Sequence, residues 1–253
     1  MTSERIISGP PQGAPVSDPT DRMTMLLAHG DDNMILAQRL GEWISNAPEL
    51  EIDIALGNIA LDHLGVARAL YTHAGEVEGE GRTEDDFAMF RDEREFTNLL
   101  LVEQPNGDFA HSVLRQLYVD AYQVPLWEDL ADSEDDTLAG IAAKALKEAH
   151  YHLRFSAGWT VRMGDGTDES HARAQKAADA LWRFTVEMFE GEADRYRPAW
   201  EKTILGVFAE AGLDLPEDPY QRTGGRSGFH TNHLGHLLAE MQWMQRSHPG
   251  LEW

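Results

Sequence analysis

Four long stretches of this chain carry apolar residues at helical spacing, and no segment shows the alternation of a convincing strand. The stretches span about residues 22–45, 48–74, 109–130 and 137–163, two in each half of the chain. Met25, Leu26, Ile35, Leu36, Leu40 and Trp43 are the apolar positions of the first, and Ile52, Leu56, Ile59, Leu64 and Leu70 those of the second. Each stretch has an apolar side that must be buried, and four such helices bury one another most simply as a four-helix bundle. The expected fold is therefore all-α, a bundle with additional C-terminal helices at about 169–190, 193–211 and 231–246. Pro48 is placed to open the second helix and Gly75 to stop it, while Pro125 is expected to kink the third. Residues 213–229, rich in Pro and Gly, read as irregular. Residues 1–20 read as a flexible tail, and 21–253 as a single domain.

Composition narrows the functions open to such a bundle. Lys and Arg number 21 against 44 Asp and Glu, a formal charge of −23, which argues against nucleic acid or an anionic membrane as partner. There is no cysteine, so disulfides, thiolate zinc sites and iron–sulfur ligation are excluded. No apolar run approaches the ~20 residues that span a bilayer, and the first residues lack the apolar core of a signal peptide. A cytoplasmic location is the expectation.

Bundle interiors can hold two metal ions, using a lone carboxylate from each of two helices and Glu-x-x-His from each of the other two. The segment "KEAHYH", Lys147 to His152, raises that possibility and does not meet it. Tyr151 follows Glu148 by three residues, and Ala149 precedes His152 by three. His150 and His152 point to nearly opposite sides of a helix, so one ion cannot use both. Glu148 and His152, at i and i+4, can share a face; Asp62 and His63 are adjacent and diverge. A non-standard site built from Asp62, His63, Glu148 and His152 is the alternative to a bundle without metal.

Three further motifs invite functional readings. His230, His233 and His236 recur every third residue and form a candidate stripe, for which a surface or interface role is favoured over zinc. "GDGTD" lacks the ligand pattern of a calcium loop and reads as a helix-breaking turn. "RTGGRSG", Arg222 to Gly228, departs from a phosphate-binding loop and reads as an ordered connector or docking loop. Trp43, Trp159, Trp182 and Trp200 read as core or interface anchors, and the helices around Trp43 or Trp127 as candidate partner surfaces.

Several blocks together resemble the C subunits of bacterial phenylacetyl-CoA 1,2-epoxidases: "QRLGEWISNAPELEIDIALGNIALDHLGVAR", "FTNLLLVEQPNGDFA", "AKALKEAHYHLRFSAGW", "LWRFTVEMF" and "YQRTGGRSGFHTNHLGHLLAEMQWMQR". The resemblance implies a ferritin-like bundle that is a non-catalytic, structural subunit of a ring-oxidising multicomponent monooxygenase in aerobic phenylacetate breakdown. It implies as partners a catalytic A subunit carrying di-iron, a bridging B subunit, and a reductase using NADPH, FAD and a [2Fe–2S] cluster, with no cofactor in this chain. Setting the A subunit against this sequence through the stretches at Trp43–Pro48 and Gln123–Leu126 places its ligand positions at Asn33, His63, Val66, Gln116, Ala149 and His152. Only His152 keeps a ligand type where one is required, so these six are expected to be a degenerate di-iron site.

Overall fold

The computed structural model describes residues 19–250; the expected N-terminal tail lies almost wholly outside the described residues. The described chain is all-α, a ferritin-like four-helix bundle with helices added toward the C-terminus. The first bundle hairpin is α1 (Pro19–Gly41) and α2 (Leu50–Glu78). A short helix α3 (Glu84–Met89) and an irregular stretch lead to the second hairpin, α4 (Phe109–Leu130) and α5 (Asp136–Gly164). Then follow α6 (Asp168–Trp182), two 3₁₀ turns, α7 (Arg197–Ala211), and the closing helices α8 (Asn232–Met241) and α9 (Trp243–Ser247).

Local chemistry sets most of the boundaries. Asp108 caps α4 by accepting from the His111 amide, and Asp135 caps α5 through the amides of Thr137 and Leu138. Thr83 with Asp86 forms a capping box on α3, and Thr167 with Ser170 one on α6, so "GDGTD" is the break and restart between α5 and α6. Two expectations change. Gly75 does not end α2, which runs one turn further to a left-handed cap at Gly79 (φ 72°). Gly75 is needed there because a Cβ would overlap the Arg82 carbonyl oxygen, where the chain folds back. The helix expected over 169–190 stops at Trp182 and gives way to 3₁₀ turns at Val186–Phe189 and Gly191–Tyr196. Helix α4 continues through Pro125 to Leu130 as one element.

Helix α4 is the axis of the molecule. It packs against α5, α6 and α7, and every residue from Ser112 to Gln123 is buried. Its polar residues Ser112, Arg115, Gln116, Asp120 and Gln123 therefore have no bulk water and depend on internal partners. Trp200 donates to the Tyr118 carbonyl at 2.9 Å within a cluster of Tyr118, Trp182, Phe189 and Phe208, an anchor of the core as expected. Trp43 and Trp127 are buried, with Trp43 donating to Ser112 Oγ at 2.9 Å. Both indoles face the core.

The outer side of α1 is covered by residues 91–106 and by the C-terminal segment. Asp31 pairs with Arg91 and accepts from Tyr71 Oη and Thr97. Asp32 pairs with Arg226 at 2.7 Å and accepts from the Leu99 amide at 2.8 Å. The "RTGGRSG" stretch is thus a connector clamped to the bundle through Arg226, with Glu187 accepting from the Gly224 and Gly225 amides.

Candidate functional site

Of the six positions singled out by the resemblance, Asn33, His63, Gln116 and His152 meet inside the bundle, and Val66 and Ala149 are buried. Asn33 comes from α1, His63 and Val66 from α2, Gln116 from α4, and Ala149 and His152 from α5. His63 Nδ1 meets Asn33 Oδ1 at 2.8 Å, and its Nε2 meets Gln116 Nε2 at 3.2 Å. Because Asn33 presents an oxygen and Gln116 an amide N–H, His63 is the Nδ1–H tautomer and its Nε2 accepts. Gln123 also donates to Asn33 Oδ1, at 3.3 Å, and Asn33 Nδ2 donates to the His29 carbonyl. The His63 and His152 rings lie 4.9 Å apart between centroids. Val66 and Ala149 are buried apolar residues of the same helices, α2 and α5.

One member of the cluster was not singled out in the sequence. Asp120 accepts from Gln116 Nε2 at 2.6 Å and from Ser156 Oγ at 2.7 Å. The signal was present: Asp120 is one turn beyond Gln116 on α4, and Ser156 one turn beyond His152 on α5, so each pair shares a face. His63, Asp120 and His152 each offer a donor atom within 4.8 Å of the others, the three-group cluster of metal-ligand types found among the described residues.

The electrostatics of that cluster do not suit a pair of irons. Burial pushes the Asp120 carboxyl up to about 8, against the smaller opposing effect of its bonds to Ser156 and Gln116, so it is mainly protonated at neutral pH. Burial, reinforced by the neighbouring His152, holds His63 well below its ordinary range. Burial also lowers His152, although its bond to Asp62 works the other way. The centre is therefore close to neutral, and its carboxyl group is engaged on both oxygens. A dinuclear site needs four carboxylates to balance its cations, whereas Asn33, Gln116, Val66 and Ala149 supply none. The residues present do not fit a di-iron centre.

The alternative set divides between interior and rim. His152 Nε2 meets Asp62 Oδ2 at 3.0 Å, while Glu148 is paired with Lys144 at 3.5 Å and His63 faces Asn33 and Gln116. His150 is exposed on the opposite side of α5. The histidine stripe also disperses. His230 is turned inward, between Glu103 Oε2 at 2.9 Å and the Phe96 carbonyl at 2.8 Å, whereas His233 and His236 are exposed.

The family of phenylacetic acid catabolic proteins matches residues 9–253. This chain belongs to that family. It is also 51% identical over 238 residues to the C subunit of the 1,2-phenylacetyl-CoA epoxidase of Escherichia coli (strain K12), with 88% of this chain and 96% of the relative covered. In this member of the family, no helix among the described residues is long and apolar enough to cross a membrane.

Proposed function

We propose that the protein is the structural, non-catalytic subunit of a phenylacetyl-CoA 1,2-epoxidase, pairing with and stabilising the catalytic subunit that holds the irons. The observation that carries this is the chemistry of the bundle centre. A near-neutral hydrogen-bond network of Asn33, His63, Gln116, Asp120 and Ser156 occupies the place where a metal-holding bundle needs four carboxylates. The likeness to the C subunit of an epoxidase supplies the reaction and the complex. The network serves the fold: it gives Gln116 and Asp120 of α4 internal partners on α2 and α5 and so links the two hairpins. Under this reading the chain contributes surface and rigidity rather than a reacting group. Its partners are the catalytic A subunit, a bridging B subunit and a reductase that brings NADPH, FAD and a [2Fe–2S] cluster, and its location is the cytoplasm.

Reconstitution tests the proposal. Epoxidation of phenylacetyl-CoA is expected from the assembled subunits, with none from this chain and the reductase alone. His152→Ala in this chain should leave the chemical rate of the assembled complex unchanged. Turnover by this chain with the reductase alone, or abolition of the complex's turnover by His152→Ala in a folded complex, would overturn it.

A further inference from the structure

We infer that the outer face of α5, with the exposed stripe of α2 beside it, seats a partner subunit through a segment that presents carboxylates flanked by apolar side chains. This rests on the subunit assignment proposed above and names the surface and the chemistry of the contact.

The first observation is charge. In a chain of net charge −23, the outward residues of α5 include Lys144, Lys147, Arg154 and Arg162. The acids of α5 leave that strip cationic: Asp136 lies in the first turn, and Glu148 is half-buried against Lys144. Arg154 and Arg162 make no ion pair or hydrogen bond with a carboxylate among the described residues, whereas Arg91, Arg183, Arg195 and Arg226 each hold an Asp. The two free guanidiniums are stacked instead, Arg154 over Tyr151 at 5.9 Å and Arg162 over Trp159 at 4.9 Å. Stacking on a ring orients the planar fork and leaves its N–H groups free for an anion.

The second observation is shape. Arg154, Gly158 and Arg162 follow at four-residue steps and make one ridge, and Tyr151, Phe155 and Trp159 make the next. A Cβ at Gly158 would meet nothing within 4 Å, so the ridge dips between its two arginines. These six residues line a cleft of about 270 Å³. It is the right form for an acidic side chain lying between two guanidiniums, with its neighbours on the aromatic ridge.

The third is the apolar stripe alongside. Leu50, Ile54 and Leu61 on α2 are 69%, 56% and 64% exposed, and Leu64 continues the line. Helix α2 is held against α5 here by the Asp62–His152 contact. With Tyr151 these side chains expose on the order of several hundred Å² of apolar surface, the scale found at the centre of a protein interface.

A second copy is a poor occupant of this face. A two-fold contact would bring Arg154 and Arg162 against the same cations of the other molecule, with −23 repelling −23 beyond them. An acidic partner segment satisfies both the cations and the stripe.

The test is co-expression of the full-length chain with the other epoxidase subunits, comparing wild type with Arg154→Glu/Arg162→Glu and with Leu61→Asp. All three changed side chains are exposed or lie on the cleft, so thermal melts of the variants should match wild type. Association of each variant with its partner subunit should weaken at least about tenfold, and the salt dependence of wild-type association should be lost in the double arginine variant. Wild-type strength in both variants would overturn this inference and leave the subunit assignment standing. Failure of the wild-type chain to join any epoxidase subunit would overturn the assignment itself. A wild-type homodimer that the arginine variant cannot form would overturn the choice of partner.

Discussion

Replacing Asp120 by Asn isolates the one buried acid of the bundle centre. Asn keeps the shape of a protonated carboxyl: Oδ1 can accept from Gln116, and Nδ2 can donate to Ser156 Oγ, reversing the bond that the hydroxyl gives Asp120 and turning that hydroxyl to the Leu153 carbonyl, 3.4 Å away. What Asn removes is ionisation. The Asp120 carboxyl titrates at about 8 in the folded chain, against 3.8 for the ordinary group. Between those values the folded state binds the extra proton, so stability falls as pH rises, by about 1.4 kcal/mol per pH unit for a single proton. Between pH 5 and pH 7.5 this is on the order of 3 kcal/mol, or roughly 6–12 °C in Tm for a chain of this size. Every other titrating group is shared by the two proteins. The Tm difference, variant minus wild type, is therefore expected to grow in the variant's favour by about that amount from pH 5 to pH 7.5. Differential scanning calorimetry in matched buffers measures it. A difference that stays constant with pH, or shifts toward wild type, refutes the account of Asp120 as a neutral, hydrogen-bonded core residue.

Other consequences are simpler. Arg226→Ala leaves Asp32 buried without its cation and removes bonds to the Ala28 and Thr97 carbonyls, so urea unfolding should show a loss of about 3 kcal/mol. Gly75→Ala should cost about 1–3 kcal/mol, because its Cβ overlaps the Arg82 carbonyl oxygen. Gly57→Ala, where a Cβ meets open space within α2, should stabilise by about 0.5–1 kcal/mol, and the opposite signs in paired melts check both. His230 is raised above its ordinary range by its bonds to Glu103 and the Phe96 carbonyl, which outweigh burial. Its share of stability is present at low pH and lost as pH rises through that elevated value, so His230→Gln should flatten the stability profile just above pH 6.5.

What was legible in the sequence follows from the range of the forces involved. Helix periodicity and caps are local, so the four bundle helices were placed to within a few residues, α4 with both ends. Gly75 misled because its role is a long-range approach to Arg82, invisible to a rule about helix ends. The 3₁₀ turns after Trp182 were missed because tertiary packing of Met188, Phe189 and Tyr196, rather than local preference, sets their course. At the centre, Asn33, His63, Gln116 and His152 follow from the resemblance and do meet, whereas Asp120 belongs to no Glu-x-x-His pattern and declares itself only through its contacts with Gln116 and Ser156. Asp31 and Asp32 escaped for a related reason: adjacent acids read as a solvated turn of helix until Arg91 and Arg226 arrive from residues far along the chain.

The central claim is that this chain has kept the bundle and given up the metal. Its most direct test is iron per chain, measured on protein grown in iron-supplied medium, for this chain alone and for the complex purified through a tag on it. The account predicts iron only in the complex, in proportion to the catalytic subunit. Stoichiometric iron in this chain alone, lost on replacing His63 and His152, would contradict it.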